Sequence, residues 1–163
     1  MKRFKLFTAA SLSLLVLLFA ACSPSRVTSP EGNKVDMKGT WTVSNISLDG
    51  VSQKGFKVTV FDDAPYQCYI GSQWNLIANG NGSYTVPSSA DCTGGQRNIY
   101  WSKQTISGVN YFQFKNLGTG VKPNRVTDGY RLEMKSLTAN QMLLQSAVNF
   151  EGKTVYINYT FSR

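Results

Sequence analysis

Three cysteines, nine carboxylates and no histidine bound the chemistry open to this 163-residue chain. Without His there is no Ser-His-Asp or Cys-His nucleophile, no His-ligated zinc or iron, and no imidazole to switch near neutral pH. A Ser-x-x-Lys pair is absent as well. Asp62-Asp63 is the one adjacent carboxylate pair, and Ala64-Pro65 directly after it reads as a solvated turn. Acid/base work needs two carboxylates in different environments, so no catalytic residues are expected and the chain is not read as an enzyme. The cysteines supply too few ligands for a metal site, and no metal or other cofactor is expected.

Lys2, Arg3 and Lys5 precede sixteen uncharged residues, Leu6 to Ala21. A basic start followed by an apolar run ending in small residues is the layout of an export signal. Sixteen residues fall short of the roughly 20 that span a bilayer. Cys22 follows Ala20-Ala21, and here residues 1–22 resemble a bacterial lipoprotein precursor. That resemblance implies a signal peptide over 1–21 and lipidation of Cys22 by acyl chains such as palmitate. Each buried CH₂ contributes about 0.8 kcal/mol, and two or more chains hold a protein on a membrane. Residues 22–37, with Pro24 and Pro30, read as the lipidated Cys and a flexible tether. By resemblance to lipoprotein sorting, Ser23 after the Cys implies the outer membrane, and the lack of the acidic run that marks many surface-exported lipoproteins makes the periplasmic face the expected site, the cell surface being the alternative.

Removing residues 1–21 takes away three of the 17 Lys+Arg and leaves 14 against nine Asp+Glu, a net charge of +5. These charges form no basic run, so no nucleic-acid partner is expected. With Cys22 on lipid, Cys68 and Cys92 remain. An oxidising compartment and an even remainder favour a Cys68–Cys92 disulfide, the alternative being two separate buried thiols.

Such a domain must be built from short strands. Turn pairs recur at Asp49-Gly50, Asn79-Gly80, Ser107-Gly108, Asp128-Gly129 and Glu151-Gly152. Between them apolar residues alternate with polar ones: Phe56, Val58 and Val60; Tyr130, Leu132 and Met134; Val155, Ile157, Tyr159 and Phe161. A period of two is that of half-buried antiparallel strands. Strands are predicted at about 40–48, 54–61, 67–77, 83–87, 97–106, 109–117, 129–136, 141–150 and 153–162, with no convincing helix. In the first strand Trp41 and Val43 share a phase that Ile46 and Leu48 leave, which predicts a bulge near Ser44-Asn45. Closure removes both exposed edges, so the expected fold is an all-β, antiparallel up-and-down barrel of about eight to nine strands over residues 38–163, the alternative being a two-sheet sandwich.

Gly39-Thr40-Trp41 opens the first strand, and with Ile99-Tyr100-Trp101 and the closing Tyr156-Ile157-Asn158-Tyr159-Thr160-Phe161 it is similar to the lipocalin-like domain of small lipoproteins of the Bacteroidota type. The resemblance implies that Trp41 closes the narrow end under a late Arg, for which Arg163 is the candidate, and that a small ligand can occupy the barrel. Trp101, Phe112, Phe114, Tyr130 and Tyr159 are expected to face inward, where they would either line an apolar ligand cavity or fill a solid core. In the solid case the Gly-rich loops at 62–66, 88–96 and 118–128 would bind an envelope protein partner, such as an outer-membrane complex or a hydrolase.

Overall fold

A computed structural model describes residues 35–163. The expected signal peptide, Cys22 and most of the expected tether lie outside the described residues. Ten strands occur among the described residues: β1 (Gly39–Asp49), β2 (Thr59–Val60), β3 (Ala64–Pro65), β4 (Gln73–Leu76), β5 (Asn81–Val86), β6 (Gly95–Ile106), β7 (Val109–Leu117), β8 (Tyr130–Leu137), β9 (Gln141–Phe150) and β10 (Lys153–Ser162). Eight of them close a barrel in the order β1-β10-β9-β8-β7-β6-β5-β4, and each neighbouring pair is antiparallel. The sandwich alternative is thereby set aside. Each of the eight barrel strands pairs on both sides, so the barrel itself leaves no open edge to recruit another chain.

Local sequence explains the hairpins. Ser107-Gly108 joins β6 to β7 and Glu151-Gly152 joins β9 to β10, each with both residues at positive φ. Two-residue turns of this kind match the twist of the strands they connect. The expected bulge in β1 is present: the register with β10 shifts between Val43 and Asn45. It lets Trp41, Val43 and Ile46 all bury their side chains.

Two predicted strands are corrected. Residues 54–61 do not join the barrel. Only Thr59–Val60 is extended, in a small ribbon with Ala64–Pro65. Residues 67–77 divide into a 3₁₀ turn, Tyr66–Tyr69, and β4. The cause is common to both. The 50–72 segment carries Phe56, Val60, Phe61, Tyr66 and Tyr69, which are buried together as it crosses one barrel end from β1 to β4. Burial in a cap relieves these apolar residues of any need to pair as strands. The Cys68–Cys92 disulfide ties this segment to the loop between β5 and β6, with the two Cα atoms 5.5 Å apart.

Candidate functional site

The inner wall is aromatic. Trp74 of β4 stacks on Tyr84 of β5, ring centres 4.4 Å apart, and meets Phe114 of β7 edge-on at 5.3 Å. Of the five residues predicted to face inward, Trp101, Phe112, Phe114 and Tyr130 form a continuous series of ring contacts, at 6.1, 5.7 and 5.1 Å. Tyr159 is also buried but reaches that series through a ring the sequence analysis did not single out, that of Phe61.

Phe61 descends from the crossing segment into the barrel. It is 7% exposed, and its ring lies 5.0 Å from Phe114, 5.2 Å from Tyr69, 5.4 Å from Tyr130 and 5.7 Å from Tyr159. The polar edges of the interior are used by neighbours. Trp101 Nε1 donates to the carbonyls of Ile77 and Asn81, both at 3.1 Å, and Trp74 Nε1 donates to Ser72 Oγ at 3.0 Å.

The turn that carries Phe61 is held under tension. Phe61 and Asp62 sit at φ of 57° and 47°, the left-handed region that costs side-chain-bearing residues energy and persists only where the surroundings enforce it. Asp63 supplies that enforcement. Its Oδ1 accepts from Arg97 Nε at 3.1 Å and Nη2 at 2.9 Å. Its Oδ2 lies 2.9 Å from the Tyr69 hydroxyl, which donates to it, and 3.0 Å from that of Tyr84. Asn116 Nδ2 donates to the Phe61 carbonyl at 3.1 Å, and Tyr130 donates to Asp62 at 2.9 Å. The solvated turn expected at Asp62-Asp63 is therefore corrected for Asp63, whose side chain is 16% exposed with that of Arg97 at 20%, while Asp62 is exposed. A carboxylate with both oxygens engaged by fixed donors is a structural anchor.

The phenols around this anchor stay protonated well past the usual range. Burial pushes Tyr69 up, with the adjoining Tyr84 and Asp63 adding to it, and burial likewise pushes up Tyr84 and Tyr159. Tyr130 is pushed up to about 12, by burial first and then by its hydrogen bond to Asp62.

The opposite end is closed by the Trp41 pair. The Trp41 indole is fully buried, donates to the Met37 carbonyl at 2.7 Å, and lies beneath the Arg163 guanidinium, 4.1 Å from ring centre to Cζ. Arg163 also donates to the carbonyls of Ala139 at 2.6 Å and Lys38 at 2.8 Å. Gly39 has φ of +116°, and a Cβ there would stand 3.4 Å from Arg163 Nη1. That distance is ordinary contact, so it is the positive φ that calls for Gly in Gly-x-Trp. Met37, at the end of the expected tether, is buried against this end.

Two clefts open outside the barrel wall. One, of about 470 Å³, lies beside the disulfide between Lys57, Gln67 and Asp91. The larger, of about 880 Å³, lies between the outward faces of β6, β7 and β8 and the loop that follows β7. Strand register sets its floor: Tyr100 pairs with Lys115, and Ser102, Gln113 and Arg131 form one row across three strands. With the Gln113 amide oxygen turned to the guanidinium, it accepts from Arg131 Nε at 2.6 Å and Nη2 at 3.0 Å. Arg131 also lies 5.6 Å from the centre of the Tyr111 ring. Lys115 Nζ donates to the Val126 carbonyl at 2.6 Å, which fastens the loop to the wall. Sequence reasoning pointed to this loop but missed the floor, whose signal was the outward phase of β6 to β8: Tyr, Ser and Gln where a solvated strand face more often carries charges.

Among the described residues, no group of three or more His, Cys, Asp or Glu could hold a metal ion. No family model, curated protein or solved structure matches this chain.

Proposed function

We propose that the chain is a lipid-anchored protein of the cell envelope whose filled barrel works through its outer surface, as a recognition module on a tether. The lipoprotein-like layout of residues 1–22 supports the anchor, and the lipocalin-like pattern around Gly39, Trp41 and Arg163 supports kinship with barrels displayed in that way. One observation carries the choice between a carrier and a surface module. Phe61 occupies the place among Tyr69, Phe114, Tyr130 and Tyr159 that the ring of an apolar cargo would need. The two clefts described above both lie outside the wall.

Native mass spectrometry of the protein purified from membranes tests this. The expected mass is that of the processed, acylated chain alone. A stoichiometric apolar molecule released from the folded barrel overturns the surface reading in favour of cargo. The anchor is tested separately: Cys22→Ser is expected to move the protein from the membrane pellet to the soluble fraction, and continued pelleting refutes it.

A further inference from the structure

The chemistry of the larger outer groove is selective. Lys115, Lys122 and Arg131 line it, and no Asp or Glu does. Gln104, Gln113 and Asn124 add side-chain amides, and Tyr100 adds an aromatic ring that is 38% exposed. The ring is held in place: it lies so close over Gly80 that a Cβ there would come within 2.8 Å of it.

The cations are few. Lys115 gives one of its three N–H donors to the Val126 carbonyl, and Arg131 gives Nε and Nη2 to the Gln113 amide. Among the described residues, Arg131 Nη1 has no hydrogen-bond partner, and neither has Lys122 Nζ. Three cations suit one or two carboxylates and not the run of phosphate contacts that holds a nucleic acid. A peptide would seek a free strand edge or apolar pockets. This floor is paired sheet, and its outward side chains are amides, a hydroxyl, one ring and the cations Lys115 and Arg131. Amides pair with the hydroxyls of a sugar, whose C–H face lies flat on an aromatic ring, while guanidinium and ammonium groups take a carboxylate. The volume is within the range of small-ligand sites.

We propose that this groove binds a carboxylate-bearing oligosaccharide. Tyr100 stacks beneath one sugar ring, Gln104, Gln113 and Asn124 pair with hydroxyls, and Lys122 with Arg131 holds the acid group. The inference rests on the proposal that the outer wall is the recognition surface.

Titration of the protein with tetrasaccharides of hyaluronan, polygalacturonate and polymannuronate, followed by amide NMR and calorimetry, tests it. At least one is expected to bind, shifting the amides of Tyr100, Gln113 and Asn124. Neutral cellotetraose and tetraglutamate are each expected to bind about tenfold more weakly or not at all. Tyr100→Leu, which keeps bulk against Gly80, is expected to weaken the sugar about tenfold, and Lys122→Gln or Arg131→Gln about fivefold or more, with unchanged thermal unfolding. No shift with any of the three acids at millimolar concentration overturns the proposal. Equal binding of tetraglutamate also overturns it, since charge alone would then suffice. If the sugars fail while Lys122→Gln and Arg131→Gln abolish cross-linking to a protein in intact membranes, the sugar is refuted and the outer-wall reading survives.

Discussion

Replacing Phe61 by Ala tests whether the crossing segment fills the barrel. The wild-type ring is 7% exposed and has four aromatic rings within 6 Å. Removing a buried Phe costs about 3–5 kcal/mol, the larger figure applying where the surroundings cannot collapse. Collapse is opposed here, because Phe114 and Tyr159 are on barrel strands paired on both sides and Asp63 pins the turn through Arg97 and two tyrosines. The upper half of that range is therefore expected, and the midpoint of thermal unfolding should fall by about 10–20 °C. Phe61→Gly should cost the same within about 1 kcal/mol. Glycine relieves the left-handed backbone, worth about 1–2 kcal/mol, but adds a comparable loss of chain entropy on folding. Guanidinium unfolding with the disulfide intact measures both variants. The vacated site should then accept benzene or indole, which would stabilise Phe61→Ala and leave the wild type unchanged. A loss under about 1 kcal/mol for Phe61→Ala would mean that the ring fills nothing, and the argument for a solid barrel would fail with it.

The remaining predictions concern the two ends and the phenols. Double replacement Cys68→Ser/Cys92→Ser should cost about 3 kcal/mol on the chain-entropy account, and the unfolded, unreduced wild type should resist iodoacetamide at both positions. Arg163→Ala removes the guanidinium from the Trp41 ring and two short hydrogen bonds, for an expected loss of about 1–2 kcal/mol with a change in Trp fluorescence; Arg163→Lys should recover part of the stability and little of the fluorescence. Tyr69, Tyr84, Tyr130 and Tyr159 hold their protons more tightly folded than unfolded, where tyrosine titrates near pH 10. Their contribution is complete below about pH 10 and lost as pH rises through the folded values, that of Tyr130 being about 12. Unfolding followed across the alkaline range should show stability falling from about pH 10 upward, and Tyr69→Phe should flatten the slope; a pH-independent midpoint refutes the assignment.

The strands that were legible are those whose pattern is local. In β8 and β10 the alternation of Tyr130, Leu132 and Met134, and of Val155, Ile157, Tyr159 and Phe161, coincides with the buried face. The bulge in β1 was legible for the same reason, since a change of phase within one strand leaves a trace in the residue order. Phe56, Val58 and Val60 carry the same alternation yet form no barrel strand. Period two reports that alternate residues are apolar, and a capping loop can satisfy that condition as well as a strand can.

Residue order alone thus determined the all-β class, most strand positions, the hairpin turns and the pairing of Cys68 with Cys92 as the favoured use of two thiols. The three-dimensional fold decided what no local period encodes. It partly buried Asp63 by bringing Arg97 and Tyr84 to it from distant positions, it placed the loop residue Phe61 at the centre of the aromatic interior, and it set Tyr100, Gln113 and Arg131 side by side through strand register. The physical reason is the same in each case: burial and pairing of these residues depend on partners far away in the chain, so they arise only when the barrel closes.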